Sequence, residues 1–203
     1  ARLGAYHSAR VILDSLDFAE IEAMQARDDW DAAGALLADR ARALENAGAD
    51  LLVLATNTMH LVADRITDAV GIPFLHIADA AGAAVSGAGL ATVGLLGTAF
   101  TMEKPFYAEK LAAHGIRTLV PDADDRRTVH AVIYDELVHG VVRDESRRAY
   151  VEVVDRLIAR GAEGIVLGCT EIELLLSAGD VPVPVFPTTS LHVDAAIAAA
   201  LPE

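Results

Sequence analysis

Two polar clusters in this sequence contain side chains suited to moving protons and to holding carboxylates. The first cluster, Thr56-Asn57-Thr58, and the second cluster, Cys169-Thr170-Glu171, each follow an apolar run directly. Cys169 is the single cysteine of the chain, and a thiol at the start of a helix ionises more readily because exposed backbone amides and the helix dipole favour thiolate. The pattern therefore indicates acid–base chemistry. Helix capping by the polar residues and plain burial of the thiol are the alternatives.

The clusters occupy equivalent places in an internal repeat. Gly48-Ala49-Asp50 and Gly161-Ala162-Glu163 each precede an apolar run, and in both copies the polar cluster begins eight residues after the glycine. We interpret the repeat as two pseudo-symmetric lobes, with chance similarity between α/β units as the alternative. Two facing lobes would bring Thr56 and Cys169 to opposite sides of one cleft. Stereoinversion at a carbon requires this arrangement, because one group removes a proton while the other delivers a proton from the opposite face.

The elements that position these residues alternate between strand and helix. Runs rich in leucine and β-branched residues predict strands, and longer segments with helical spacing that end at a glycine predict helices. Such alternation is typical of an α/β fold with mostly parallel sheets flanked by helices. Thr98 ends one such strand, where it is a further candidate to bind a carboxylate. Predicted strands cover 10–15, 51–55, 73–77, 92–96, 117–120, 164–168 and 183–186, and predicted helices cover 31–47, 103–114 and 148–160.

The repeat also predicts the domain organisation. We expect a first lobe over 1–88, a second lobe over 89–188, and a C-terminal segment over 189–203 that packs back onto the first lobe. The second lobe has a strand and a helix ahead of its strand at 117–120, whereas nothing comparable precedes the strand at 10–15. We therefore expect that a leading strand–helix unit is missing from this sequence. The active site is expected in the cleft between the lobes.

Composition limits the classes of partner. Thirty acidic residues against sixteen basic residues give a net charge of −14, so the surface repels nucleic acids and anionic lipids. The uncharged stretch 80–100 is long enough to span a membrane, but its five glycines predict a helix end, a turn and a strand. A single cysteine excludes multi-cysteine metal sites and favours a reducing, cytoplasmic compartment. We expect a small-molecule ligand and no nucleic acid, membrane or metal partner.

The sequence resembles the aspartate/glutamate racemases, a family of amino-acid racemases that work without pyridoxal phosphate. The segments that resemble the family follow its order along the chain and are Ala55-Thr56-Asn57-Thr58-Met59-His60, Leu95-Leu96-Gly97-Thr98 and Leu167-Gly168-Cys169-Thr170-Glu171-Ile172. Two further stretches are similar to the bacterial subgroup specific for L-aspartate and L-glutamate, namely Arg2-Leu3-Gly4 with His7-Ser8-Ala9, and Asp17-Phe18-Ala19-Glu20-Ile21-Glu22.

The resemblance implies two similar α/β lobes, no cofactor and a homodimer. It also implies that the partner is a small-molecule substrate, an amino acid. It implies that Cys169 is one catalytic acid/base in the racemisation of aspartate or glutamate, with Thr56 in the place of the other. It gives Glu171 a possible helper role beside the thiol. It also implies a set of substrate-binding residues, which are Asn57, Thr58, Thr98, Thr170 and Gln25.

The chain departs from the wider family in two places. Thr56 stands where most members have cysteine, although the L-specific subgroup shares the threonine. A threonine hydroxyl is a far weaker acid than a thiol, whose pKa is about 8.5. A thiolate can therefore form at Cys169 near neutral pH, whereas an alkoxide at Thr56 cannot form without a strong partner, and we expect unequal efficiency in the two directions. We also expect that the family's leading glycine-rich strand is missing from this sequence. A single-cysteine decarboxylase or isomerase of a related dicarboxylate, and a non-catalytic carboxylate-binding module, are the alternative functions.

Overall fold

The computed structural model describes residues 6–201 and has an α/β architecture. The chain divides into two units. The smaller unit contains the chain up to Leu52 together with Val62–Phe74, and the larger unit contains Val53–Leu61 together with the chain from Leu75 onward. The first and second polar clusters therefore both belong to the larger unit.

The boundaries of these units differ from those of the predicted lobes, 1–88 and 89–188, and the division into lobes stays a prediction. The Arg2-Leu3-Gly4 motif and the last two residues of the predicted C-terminal segment lie outside the described residues.

Helices form most of the smaller unit. α1 (Phe18–Ala26) and α2 (Trp30–Asn46) each begin after an aspartate whose side chain accepts a hydrogen bond from a backbone N–H of the first turn. Such caps satisfy amides that have no partner within the helix. α3 (Ala63–Thr67) packs against α2 at Gly34, where an added Cβ would lie 2.8 Å from Cγ of Arg65. A larger residue at this position of α2 would displace the arginine side chain.

Two short strands form a separate two-stranded sheet. They are β1 (Leu52–Val53) and β2 (Phe74–Leu75), and the backbone N–H of Leu52 donates to the carbonyl of Pro73 at 2.9 Å. The first polar cluster follows β1 and continues into a 3₁₀ helix, Thr58–Val62. This short sheet thus sets the point at which the first cluster begins.

The larger unit contains a four-stranded parallel sheet. Its strands are β3 (Thr92–Gly97), β4 (Arg117–Leu119), β5 (Gly164–Gly168) and β6 (Val185–Pro187), in the order β4-β3-β5-β6. Every residue of β5 is buried. A short, wholly apolar run is what a parallel strand needs when helices cover both faces of its sheet.

Helices cover both faces of this sheet. Consecutive residues of β5 point to opposite faces, so Ile165 and Leu167 enter one core cluster while Val166 enters the other. The helices of the larger unit are α4 (Ile77–Gly87), α5 (Ala99–Glu103), α6 (Pro105–Ala113), α7 (Ala123–Asp135), α8 (Asp144–Ala159), α9 (Ile172–Leu175) and α10 (Thr188–Ala200). The first of these core clusters includes residues of α7 and α8, and the second includes residues of α4 and α6. Helix α10 packs against α4.

Most of the predicted elements are found. The α/β class is confirmed, and the strand predicted at 164–168 has the predicted bounds. The helix predicted at 148–160 begins earlier, at Asp144, because the polar first turn of α8 lacks the apolar spacing used for the prediction. The stretch 80–100 contains the end of α4, a turn and β3, and among the described residues no helix has both the length and the apolar character needed to cross a membrane.

The strand predicted at 10–15 is wrong. These residues adopt no regular secondary structure, and the side chains of Val11 and Leu13 are 76% and 83% exposed. A β-branched apolar run shows that a segment suits a strand. It does not supply the neighbouring strand whose backbone groups the segment must pair with.

Candidate active site

Three residues that follow neighbouring strands form a row at the carboxyl end of the larger sheet. The last residue pairs of the register join Gly97 to Gly168 and Leu167 to Pro187. Neighbouring strands lie about 4.8 Å apart, so the residues that come next are also neighbours. Thr98 after β3 is level with Cys169 after β5, whereas Thr188 after β6 is level with Gly168, one residue before Cys169.

Glycines allow the ends of β3 and β5 to approach closely. A Cβ added to Gly97 would lie 2.8 Å from the carbonyl oxygen of Gly168, and a Cβ added to Gly168 would lie 3.0 Å from the carbonyl oxygen of Leu96. Both neighbours are backbone atoms, which cannot turn aside as a flexible side chain can. A side chain at either glycine would therefore push the two strand ends apart, together with the residues that follow them.

The first polar cluster lies across the end of β5. Oγ1 of Thr58 lies 3.0 Å from Oγ1 of Thr98. The amide Nδ2 of Asn57 donates to Oγ1 of Thr188 at 3.0 Å. Because Thr98 and Thr188 follow the strands on either side of β5, the cluster spans the end of β5, where Cys169 stands. Two clusters that lie more than a hundred residues apart in the sequence are thus brought together.

A further hydroxyl joins this site. Thr101 on α5 is 1% exposed, and its Oγ1 lies 3.4 Å from that of Thr58 and 3.3 Å from that of Thr98. Thr101 is absent from the residues predicted from the sequence. The sequence contained a sign of this contact, because Thr101 lies three residues after the helix cap Thr98, at the spacing of a capping hydrogen bond. In the structure the backbone N–H of Thr101 donates to Oγ1 of Thr98.

The side chain of Asn57 is fixed in one orientation. The hydroxyl of Thr188 donates its proton to the carbonyl of Leu167 at 2.7 Å, so this hydroxyl can only accept from Asn57. The amide nitrogen must therefore face Thr188. Oδ1 of Asn57 is left buried without a hydrogen-bond partner among the described residues. A buried acceptor without a partner is costly, and it is suited to an N–H group of a ligand. Thr188, which was also not predicted, follows a strand end as Thr98 and Cys169 do.

The thiol of Cys169 makes a hydrogen bond to the carboxylate of Glu171. Sγ of Cys169 donates to Oε2 of Glu171 at 2.9 Å, and the hydroxyl of Thr170 donates to the same oxygen at 2.7 Å. Burial of the thiol, followed by the charge of Glu171 and its hydrogen bond, raises the pKa of Cys169 well above its usual range. Hydrogen bonds from the backbone amides of Glu171 and Ile172 oppose this rise in the pKa.

The raised pKa opposes the thiolate that the sequence predicts can form at Cys169 near neutral pH, and the catalytic role of the thiol stays a prediction. The prediction counted the amides at the helix start but not the burial of the sulfur or the adjacent carboxylate. Helix α9 has only four residues, so few aligned peptide dipoles favour the negative charge. The raised pKa favours the protonated thiol, which donates a hydrogen bond to Glu171.

The other predicted site residues have different surroundings. Thr56 is half-buried, and its carbonyl accepts a hydrogen bond from Nδ1 of His60 at 2.7 Å. Gln25 is buried on α1 in the smaller unit, and its substrate-binding role stays a prediction.

Comparison with known proteins identifies the family to which this site belongs. The sequence profile described as Asp/Glu/Hydantoin racemase matches residues 1–196. The chain belongs to the Asp/Glu/hydantoin racemase family. An Asp/Glu racemase candidate from Yersinia pestis has 49% identity to this racemase-family chain and a TM-score of 0.91, with 98% of this chain and 87% of the other covered.

Two further solved structures extend the comparison for this family member. An aspartate racemase homologue from Pyrococcus horikoshii OT3 is 32% identical, with a TM-score of 0.84 and coverage of 98% of this chain and 87% of the other. The aspartate racemase of Picrophilus torridus is 25% identical, with a TM-score of 0.63 and coverage of 78% and 65%. The predicted resemblance to this family is thereby confirmed.

Proposed function

We propose that this protein interconverts the enantiomers of an acidic amino acid, aspartate or glutamate, by proton transfer at Cα without a cofactor. Cys169 acts on one face of the carbon and Thr56 acts on the other. The observation that carries the proposal is the position of the first polar cluster across the end of β5, beside the thiol. The 32% identity to an aspartate racemase homologue supports an acidic substrate.

The charged groups of such a substrate have matching partners beside Cys169. The hydroxyls of Thr58 and Thr98 can donate to a carboxylate, and the unpartnered Oδ1 of Asn57 can accept from an α-ammonium group. The net charge of −14 opposes an anionic substrate at long range. Salt screens that repulsion beyond about 8 Å, so the binding free energy depends on these local groups.

The proton transfers follow from the contacts of the thiol. Transfer of the Cys169 proton to Glu171 leaves a thiolate that accepts from the backbone amides of Glu171 and Ile172. The thiolate removes the α-proton, and the electron pair of the C–H bond delocalises into the adjacent carboxylate. The Thr56 hydroxyl then delivers a proton to the opposite face. The proton held by Glu171 returns to the Thr56 oxygen through solvent, and loss of the α-proton from Cys169 to Glu171 prepares the next turnover.

Solvent exchange at Cα tests this proposal. Each enantiomer of aspartate and glutamate is incubated in heavy water, and deuterium at Cα is measured by mass spectrometry. The protein should incorporate deuterium, and Cys169→Ala should abolish incorporation while its circular dichroism spectrum stays unchanged. Leu174→Ala is the matched control, because this residue is exposed on α9, and it should keep the exchange rate.

Other outcomes would contradict the proposed racemisation, and each can be told apart from the others. Exchange that persists in a folded Cys169→Ala variant contradicts the role of the thiol. Release of carbon dioxide from a substituted malonate, or calorimetric binding of L-glutamate without any exchange, would replace racemisation by decarboxylation or by ligand binding alone.

A further inference from the structure

Three buried histidines meet beside the first polar cluster. His60, His76 and His192 are 2%, 7% and 3% exposed. The ring centroid of His60 lies 4.4 Å from that of His76 and 5.9 Å from that of His192. Within residues 6–201 no group of three His, Cys, Asp or Glu side chains is arranged to hold a metal ion. The rings of His60 and His192 make hydrogen bonds to the backbone.

The central ring, His60, joins two backbone segments. Its Nδ1 lies 2.7 Å from the carbonyl oxygen of Thr56, and its Nε2 accepts from the backbone N–H of Ile77 at 3.1 Å. A carbonyl can only accept, so Nδ1 carries the proton, and an amide N–H can only donate, so Nε2 does not. His60 is therefore a neutral imidazole in the Nδ1–H form, and the two bonds connect Thr56 to the first residue of α4.

We propose that His60 is a positioning residue for Thr56, whose carbonyl it holds through Nδ1–H so that the threonine hydroxyl faces the substrate carbon. The proposal rests on the proposed function for the role of the Thr56 hydroxyl. The geometry of the bonds is independent of that role. The backbone N–H of Thr56 donates to the carbonyl of Leu54 at 2.8 Å, so the peptide groups on both sides of this residue are held.

The neutral state of His60 is built into its surroundings. Burial lowers the pKa of His60 well below its usual range, and the neighbouring His76 and His192 lower it further, whereas hydrogen bonds to the backbone carbonyls of Thr56 and Leu75 act in the opposite direction. Those two histidines are the titratable groups that affect His60 within the described residues. On protonation, Nε2 would become a donor facing the donor N–H of Ile77, and the repulsion between these two donors would displace the ring and Thr56 with it. Asparagine has no group at this position and does not cause that repulsion.

Two substitutions separate the two bonds of the ring. Asparagine places its amide nitrogen two bonds from Cβ, as Nδ1 is, whereas glutamine places its amide oxygen three bonds from Cβ, as Nε2 is. His60→Asn therefore keeps a donor for Thr56, and His60→Gln keeps an acceptor for Ile77. If His60 positions Thr56, kcat falls roughly 10–100-fold in His60→Gln, as expected for a displaced catalytic group, and by less than about threefold in His60→Asn. Equal losses, no loss, or the reverse ranking would overturn the proposal.

The pH profile is a second readout that a purely structural role would not change. Activity of the unmodified protein should fall at the acid side as His60 becomes protonated. In His60→Asn this acid limb should shift or vanish, because asparagine does not titrate. An acid limb that is identical in both proteins assigns the loss to another group and contradicts the proposal.

A thiol placed at position 56 tests the proposal without any turnover. In the double variant Thr56→Cys/Cys169→Ala, the introduced thiol is the only one, and its rate of alkylation by iodoacetamide reports its position. Adding His60→Gln should change this rate at least about threefold, and adding His60→Asn should leave it unchanged. If the protein racemises no amino acid but this pattern holds, the proposed function fails and the positioning role stands. If the pattern is absent, the positioning role fails.

Nitrogen-15 NMR of the unmodified protein requires no variant to fold. The long-range spectrum of the imidazole nitrogens should show His60 protonated at Nδ1 and not at Nε2, and neutral at and below a pH of about 6.5. A ring protonated at Nε2, or titration near the pKa of about 6.5 that a free histidine has, would overturn the assignment.

Discussion

The carboxylate of Glu171 adds to burial in raising the pKa of the Cys169 thiol. Its Oε2 accepts hydrogen bonds from the Cys169 thiol and from the Thr170 hydroxyl. Burial alone raises the pKa of the thiol, and the negative charge raises it further. Glu171 thus helps to keep the resting thiol protonated and makes it a weaker acid, and it offers a place for the proton when the sulfur must act as a base.

Removing this charge should make the thiol more acidic. In Glu171→Gln we expect a lower pKa of Cys169, because the repulsion between carboxylate and thiolate is gone while the backbone amides of residues 171 and 172 remain. The pH dependence of thiolate absorbance in the ultraviolet, or of alkylation by iodoacetamide, measures the shift. Glu173→Gln is the control, since Glu173 accepts from the backbone N–H of Thr189 instead. A pKa that rises or stays constant in Glu171→Gln would contradict this account.

The acidity of residue 56 should limit turnover. Thr56→Cys replaces the hydroxyl with a group that ionises near a pH of about 8.5, and we expect kcat to be retained or raised in at least one direction. Because enantiomers have equal free energy, kcat/KM must change by the same factor in both directions, so any asymmetry appears in kcat and KM separately. Initial rates from each enantiomer, followed by circular dichroism, measure both quantities.

Thr56→Val is the matched control for that substitution. It keeps the shape of threonine but has no proton to transfer, so kcat should fall at least about 100-fold. A folded Thr56→Cys protein without activity, or a Thr56→Val protein with full activity, would remove residue 56 from the proton transfers.

The separation of β3 and β5 controls the site at the scale of the elements. Both strands end in glycine, and the two glycines are paired in the register. The start of the pair is held as well, because the side chain of Glu163 accepts from the backbone N–H groups of Ala91 and Thr92 at 2.8 Å each. The residues after both strands therefore have little freedom to shift relative to each other.

A methyl group at the end of β3 should damage the site more than the fold. Gly97→Ala places a Cβ 2.8 Å from the carbonyl oxygen of Gly168, so the strand ends must separate and Thr98 must move away from Cys169. We expect kcat/KM to fall roughly 100-fold, with destabilisation of about 1–3 kcal/mol from overpacking. Exchange kinetics and urea unfolding measure the two effects.

Gly87→Ala is the control for this change. An added Cβ at Gly87 meets no atom within 4 Å, so both activity and stability should stay close to those of the unmodified protein. Equal losses of activity in the two variants would show that the close approach of β3 and β5 does not govern the site.

Buried histidines make the stability of the whole molecule depend on pH. Burial lowers the pKa of His60, His130 and His192. Between the unfolded pKa of about 6.5 and these lower folded values, the unfolded chain binds protons that the folded chain does not. The free energy of unfolding should therefore decrease as the pH falls below about 6.5, by at most about 1.4 kcal/mol per pH unit for each histidine.

Urea unfolding about one pH unit above and one below that unfolded pKa checks this sign. The midpoint should be lower at the acidic pH, and the difference should shrink in His60→Asn, which removes one of the titrating groups. A midpoint that is equal or higher at the acidic pH would mean that other ionisable groups dominate in this range.

The sequence by itself determined which local segments form strands and helices and which polar residues are candidates for the site. Periodicity and glycine stops located β5 and the long helices, because a strand covered on both faces must be apolar throughout and a helix must be apolar every three to four residues. The single cysteine and the two polar clusters were recognisable because they directly follow such strands. The alternation of elements was sufficient to predict the α/β class.

Only the tertiary structure decided how these segments meet. The register of β3, β5 and β6 places Thr98 level with Cys169 and Thr188 level with Gly168, and long-range hydrogen bonds connect the first cluster to Thr98 and Thr188. The places of Thr101 and Thr188 in the site and the role of His60 depend on such contacts. The protonation of Cys169 does too, because the pKa of a thiol is set by burial and nearby charge in three dimensions and not by its place along the chain.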